Sequence, residues 1–146
     1  MGLVTWTAVF TLPGLRDSSD EVAQSINGLV GASLQKKLHP QLASRGWNFG
    51  DAFAEDHGWH SEAAIFDDGK TIGVSLVTCP ELDEAAPDGS ALDDRWRIVV
   101  GLDLGMFSKT KTRRLQILTR LASDTETACR QLGAQSFVWE VGGSHA

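Results

Sequence analysis

Apolar side chains recur at every second position at the start of the chain: Val4, Trp6, Ala8, Phe10 and Leu12, with Thr5, Thr7 and Thr11 between them. A repeat of two is that of an extended strand, so this segment predicts a strand buried on one face. Pro13 and Gly14 stop it. Ser18 with Glu21 three residues on forms a capping box, in which each side chain satisfies a backbone N–H at a helix start. Val22, Ile26, Leu29, Val30, Leu34 and Leu38 follow at helical spacing. The spacing predicts one helix from the cap to about His39, where Pro40 disfavours continuation. Gly28 and Gly31 inside it each cost about 1 kcal/mol relative to Ala, which close packing on a sheet would explain.

Residues 58 to 78 read as a hairpin turned at Asp68-Gly69, a pair that accepts the positive dihedrals of a type I′ turn. Pairing Asp67 with Lys70 sets Ile65 against Ile72, Ala63 against Val74, Ser61 against Leu76 and Trp59 against Thr78. The apolar residues of both strands then share one face, and His60, Glu62, Phe66 and Ser75 take the other. A third strand places Trp96, Ile98, Val100 and Leu102 inward and Arg95, Arg97 and Val99 outward. Leu115, Leu118, Ala122, Thr125, Cys129 and Leu132 form one helical stripe over residues 111 to 132, closed by Gly133. Phe137, Trp139 and Val141 alternate through a last strand. Between residues 41 and 57 the pattern is weakest: Gly46 closes a short helix, and Trp47 and Phe49 open an edge strand.

The order strand, helix, three strands, helix, strand predicts one α+β domain over residues 1 to 146. Two layers are expected, with two main helices on one face of a largely antiparallel sheet of four to five strands. The connectivity resembles a ferredoxin-like arrangement with one extra strand.

Charge sharpens this picture. Thirteen of the nineteen acidic residues lie between Asp51 and Asp103, and residues 79 to 94 hold six acids and no base. That segment predicts an acidic surface loop carrying Glu81, Asp83, Glu84, Asp88, Asp93 and Asp94. A formal charge of -6 gives no basic footprint for nucleic acid and disfavours anionic membranes. No apolar run is long enough for a spanning helix. No cationic segment precedes the first strand, and Trp6 stands where a myristoylation signal needs serine or threonine. Cys79 and Cys129 lack CxxC spacing and read as small buried hydrophobes in a reducing cytoplasm.

Two sets of residues carry candidate chemistry. Asp56, His57, His60 and Glu62, with Arg97 across the sheet, supply imidazoles and carboxylates for a small-anion or metal pocket with hydrolytic chemistry, but the HExxH spacing of zinc proteases is absent. Structurally the same residues read as cross-strand polar contacts. Ser61 lacks the Gly-x-Ser-x-Gly elbow, and no cofactor motif is present. The acidic segment fails as an EF-hand, because Gly89 at the sixth position puts Ala86 at the third and Arg95 at the twelfth. It reads instead as a docking surface for a basic protein. The basic run Lys109, Lys111, Arg113, Arg114 and Arg120 complements it within the chain or in a homodimer. The leading expectation is a non-catalytic protein-binding module, an inhibitor, immunity-type or adaptor protein. The alternatives are the histidine pocket and a structural homo-oligomer subunit.

Overall fold

A computed structural model describes residues 3–82, 91–104 and 110–140. The elements are β1 (Leu3–Thr11), α1 (Ser19–Gln24), α2 (Ala32–Ala43), β2 (Phe53–Glu55), β3 (Gly58–Asp67), β4 (Lys70–Leu82), β5 (Ala91–Asp103), α3 (Lys111–Gln131) and β6 (Gln135–Trp139). The strands form one six-stranded sheet in the order β2-β3-β4-β5-β1-β6. Every neighbouring pair is antiparallel.

The period-two segments set this register. Asp67 pairs with Lys70, Ile65 with Ile72, Ala63 with Val74, Ser61 with Leu76 and Trp59 with Thr78. Asp68 and Gly69 take φ of 51° and 76°, the two positive dihedrals that the turn demands. Because alternate residues share a face, Phe10, Leu76, Ile98 and Val100 point to one side, where Leu38, Leu42, Leu118 and Leu121 of the helices meet them. The helices thus cover one face of the sheet. The other carries Thr5, Thr7, His60, Glu62, Phe66, Arg95 and Arg97, and among the described residues no helix lies over it.

The single long helix expected between Ser18 and His39 is two helices. α1 keeps the capping box, in which the Glu21 N–H donates to Ser18 Oγ (3.2 Å) and the Ser18 N–H to Glu21 Oε1 (2.7 Å). It stops at Ser25, whose ψ of 152° is extended. Asn27 and Gly28 then adopt positive φ. Two distant residues dictate the restart. Gly31 lies so close to β4 that a Cβ on it would collide with the Thr78 carbonyl, and its φ of 154° suits glycine. The Asp17 carboxylate caps α2 by accepting the N–H groups of Gly31 (2.9 Å), Ala32 (3.1 Å) and Ser33 (2.9 Å). Of the two glycines, only Gly31 makes the close approach; a Cβ at Gly28 would meet nothing.

Three further expectations are corrected. Pro40 lies within α2. Trp47 opens no edge strand. The backbone turns back after α2 through Gly46 (φ 94°), with the Trp47 N–H donating to the Leu42 carbonyl, and the indole is fully buried. The edge strand is the three-residue β2, which raises the strand count to six. Finally, the acidic segment is not a loop throughout: β4 and β5 pair as far as Leu82 with Ala91. Glu81, Asp93 and Asp94 therefore sit on strands, whereas Asp83, Glu84 and Asp88 lie outside the described residues. Among the described residues no helix is long and apolar enough to cross a membrane.

Candidate functional site

The turn from β2 into β3 is forced by Gly58. At φ 134°, a Cβ there would stand 2.6 Å from the Thr78 carbonyl oxygen and 2.8 Å from Cys79 Cβ. This tight reversal leaves Asp56 and His57 exposed and aims His60 and Glu62 along the helix-free face. The four side chains join end to end. Asp56 Oδ1 is 3.1 Å from His57 Nδ1, His57 Nε2 is 3.4 Å from His60 Nδ1, and His60 Nε2 is 3.2 Å from Glu62 Oε2. The Phe53 ring packs on His60 with centroids 5.2 Å apart.

Proton counting constrains this chain. Ionised carboxylates only accept, so His57 Nδ1 and His60 Nε2 must each carry hydrogen, and the central link needs a third. Two neutral imidazoles carry two, so the complete chain holds one proton more. The arrangement is linear rather than convergent. Among the described residues no group of three His, Cys, Asp or Glu side chains is arranged to hold a metal ion. Arg97, expected beside this cluster, instead donates to Glu140 Oε1 at 2.9 Å. It sits one row along the sheet, against Cys79 and Val9, so its guanidinium is drawn to β6.

A serine–histidine pair also occurs, on the buried side. Ser61 Oγ lies 3.1 Å from His39 Nε2, and both meet Gln35 Oε1, at 2.8 Å and 2.7 Å. Gln35 Nε2 donates to the carbonyls of Trp59 and Leu76, both at 3.0 Å, which fixes Oε1 as an acceptor. His39 Nε2 must then carry its hydrogen, so it cannot take a proton from Ser61. Ser61 is also fully buried. The group clamps α2 onto β3. Burial lowers the His39 pKa, partly opposed by Asp51, and keeps the ring neutral. Neither cysteine is activated: both are free, burial raises the Cys79 thiol, and Cys129 is pushed up to about 12 by burial and by Glu126.

The acidic end of the β4–β5 hairpin lies beside the segment that leads into α1. Glu81 Oε1 accepts from Arg95 Nε at 3.0 Å, and Asp94 Oδ1 from Arg16 Nη1 at 3.3 Å. Asp93 is exposed. A notch of about 270 Å³ opens here, with Leu15, Val22, Val30 and Pro80 as apolar lining and Asp93, Asp94, Arg16 and Arg95 beside them. Val22 remains 46% exposed. The basic run of α3 does not reach this end. Arg113 grips Asp67 at the β3–β4 turn with two bonds of 3.0 and 2.6 Å, which lowers the Asp67 pKa. Arg114 donates to the Asp103 carbonyl at 2.7 Å, and Arg120 stands over the Trp47 ring at 4.6 Å. Lys109 lies outside the described residues.

The sequence pattern did not anticipate Asp17, Gln35 or the notch. Gln35 and His39 at i and i+4 beside Leu34 and Leu38 are the one local signal, since polar residues on an apolar face need partners. Comparison with protein-family models, with curated proteins and with solved structures finds no match. The chemistry of these side chains therefore carries the functional reading alone.

Proposed function

We propose that the protein is a non-catalytic binding module that captures a basic protein partner with the acidic end of its β4–β5 hairpin, as an inhibitor, immunity-type or adaptor protein does. One observation carries this reading: an apolar notch with a partly exposed Val22 opens directly beside the acidic hairpin. An apolar anchor site with charged groups around it is the anatomy of a recognition patch. The charge of -6 adds long-range attraction for a cationic partner. The pairing of Glu81 with Arg95 and of Asp94 with Arg16 leaves the attraction to Asp93 and to Asp83, Glu84 and Asp88. The scaffold reading is of the same kind. α3 carries the chain from β5 to β6 on the two sides of β1, which supports a ferredoxin-like arrangement extended by extra strands in the β2–β5 meander.

The reading is tested by immobilising the protein in extract from its own source and comparing it with a variant in which residues 83 to 90 are replaced by a Gly-Ser turn. Capture of one basic protein by the parent and its loss in the variant is the expected result. Equal capture by both removes the hairpin from the interface. A second reading, a small-ligand pocket at Asp56, His57, His60 and Glu62, draws on their hydrogen-bonded chain but loses Arg97 to Glu140.

A further inference from the structure

Asn27 and Gly28 lie in the break between α1 and α2. Both take positive φ, 57° and 70°, and the Leu29 N–H donates to the Ile26 carbonyl at 3.1 Å. This is the geometry of a type I′ turn, here between helices rather than strands. Both residues are exposed. The helices on either side are anchored without the turn: α1 by its Ser18–Glu21 capping box, α2 by the Asp17 carboxylate and the close approach of Gly31 to Thr78. Opening the turn therefore breaks one hydrogen bond at the surface and undoes neither anchor.

An asparagine side chain carries its amide carbon within reach of the next residue's backbone nitrogen, and a bond between the two closes a five-membered ring. Three features of this turn favour that closure. Gly28 has no side chain to shield its nitrogen, and the space where a Cβ would stand is empty to 4 Å. Among the described residues the Gly28 N–H has no hydrogen-bond partner, so no bond is lost when base removes its proton. The Asn27 amide is unpartnered in the same sense and can rotate onto that nitrogen. Asn48, the other asparagine of the chain, is also exposed but precedes Phe49, whose ring stacks on His39 with centroids 5.9 Å apart. Asp68 and Gly69 share the positive dihedrals, but an ionised carboxylate resists attack by a nitrogen anion and has no ammonia to expel.

We propose that Asn27–Gly28 is a site of spontaneous modification, at which the asparagine is converted to aspartate and isoaspartate. Gly28 N, having given its proton to hydroxide, bonds to Asn27 Cγ. The Cγ–Nδ2 bond breaks, and Nδ2 leaves as ammonia with a proton taken from water. Water then opens the succinimide. Cleavage between Gly28 N and Asn27 Cγ gives aspartate; cleavage between Gly28 N and the main-chain carbonyl carbon gives isoaspartate, whose main chain runs through Cγ and is one carbon longer. Water is the only co-reactant. Either product adds one negative charge to the -6 of the chain, two residues beyond the C-cap of α1. The site is independent of the acidic hairpin, and neither stands or falls with the other.

The folded chain, kept at neutral pH and physiological temperature and digested with trypsin under mildly acidic conditions, tests this by mass spectrometry. The peptide of residues 17 to 36 is expected to gain one mass unit with time, as aspartate and isoaspartate forms that electron-transfer fragmentation distinguishes. Its rate should lie within about threefold of that of a synthetic peptide of the same residues, because the fold leaves the turn unprotected. The peptide of residues 46 to 70, which carries Asn48, should stay unchanged. Gly28→Ala should slow the gain about tenfold or more, since a β-carbon then shields the nitrogen. Asn27→Gln, whose ring would need six members, should abolish it over the same interval, with circular dichroism checking that both variants are folded. A folded chain that reacts about tenfold or more slowly than the free peptide overturns the site, because the turn is then protected. Equal gain at Asn48, an unchanged rate in Gly28→Ala, or aspartate without isoaspartate overturns the cyclisation.

Discussion

Replacing Gln35 with leucine removes the one side chain that, among the described residues, hydrogen-bonds α2 to both β3 and β4. Gln35 is fully buried and makes four hydrogen bonds, two donated to the carbonyls of Trp59 and Leu76 and two accepted from His39 and Ser61. In Gln35→Leu the last two groups remain 3.1 Å apart, so the His39 N–H keeps Ser61 Oγ as an acceptor. The Ser61 O–H and the two carbonyls lose partners. Three groups at about 1 kcal/mol each, the lower end because a carbonyl retains a second lone pair, give about 3 kcal/mol. Leucine returns about 1 kcal/mol through its apolar surface. The net expectation is a loss of about 2 kcal/mol, which urea denaturation followed by tryptophan emission reads as a midpoint about 1 M lower at unchanged slope. Gln35→Glu should suffer more, because a carboxylate can accept from His39 and Ser61 but faces two carbonyls without a donor. Ser61→Ala combined with Gln35→Leu should cost less than the sum of the two. A Gln35→Leu protein within 0.5 kcal/mol of the parent would refute the clamp.

Other outcomes follow from the same structure. Gly31→Ala sets a Cβ against the Thr78 carbonyl in a glycine-type backbone, and a loss of about 2–4 kcal/mol is expected by urea titration. Asp17→Ala strips the shared acceptor from three N–H groups of α2 and should cost about 2 kcal/mol, with the melting temperature as readout. The lowered His39 pKa gives a stability contribution that is full above about 6.5, the unfolded value, and is lost as pH falls toward the folded pKa, because only the unfolded chain takes the proton in that window. Urea midpoints measured from pH 7.5 downward should therefore fall, and His39→Gln should flatten part of that slope.

The strands other than the short edge strand β2, and α3, were legible because a single local property, which face is buried, decides them. Trp59, Ile65, Val74 and Ile98 announce their orientation by alternation, and a positive-φ turn at Asp68-Gly69 pins the register. The break between α1 and α2 was not legible. Its causes are the cap from Asp17, fourteen residues before Gly31, and the collision with Thr78, 47 residues after it. An apolar stripe running through Ile26 and Leu29 looks helical whatever those distant groups do. The histidine chain was half legible: His60 and Glu62 share a face by parity, whereas His57 joins them only through the turn that Gly58 permits. Arg97 shares the face of His60 and Glu62 by parity, but parity does not give the direction in which a long side chain leans, and its guanidinium donates to Glu140. The notch draws residues from at least three elements, so no window of sequence contains it.

Native mass spectrometry of the protein recovered at low ionic strength from its own source tests recognition through the acidic hairpin most directly. A complex with one basic polypeptide is expected, dissociating as salt is raised and absent when Asp83, Glu84, Asp88 and Asp93 are all changed to serine. A complex indifferent to those four substitutions, or the chain alone or only with copies of itself, would contradict it.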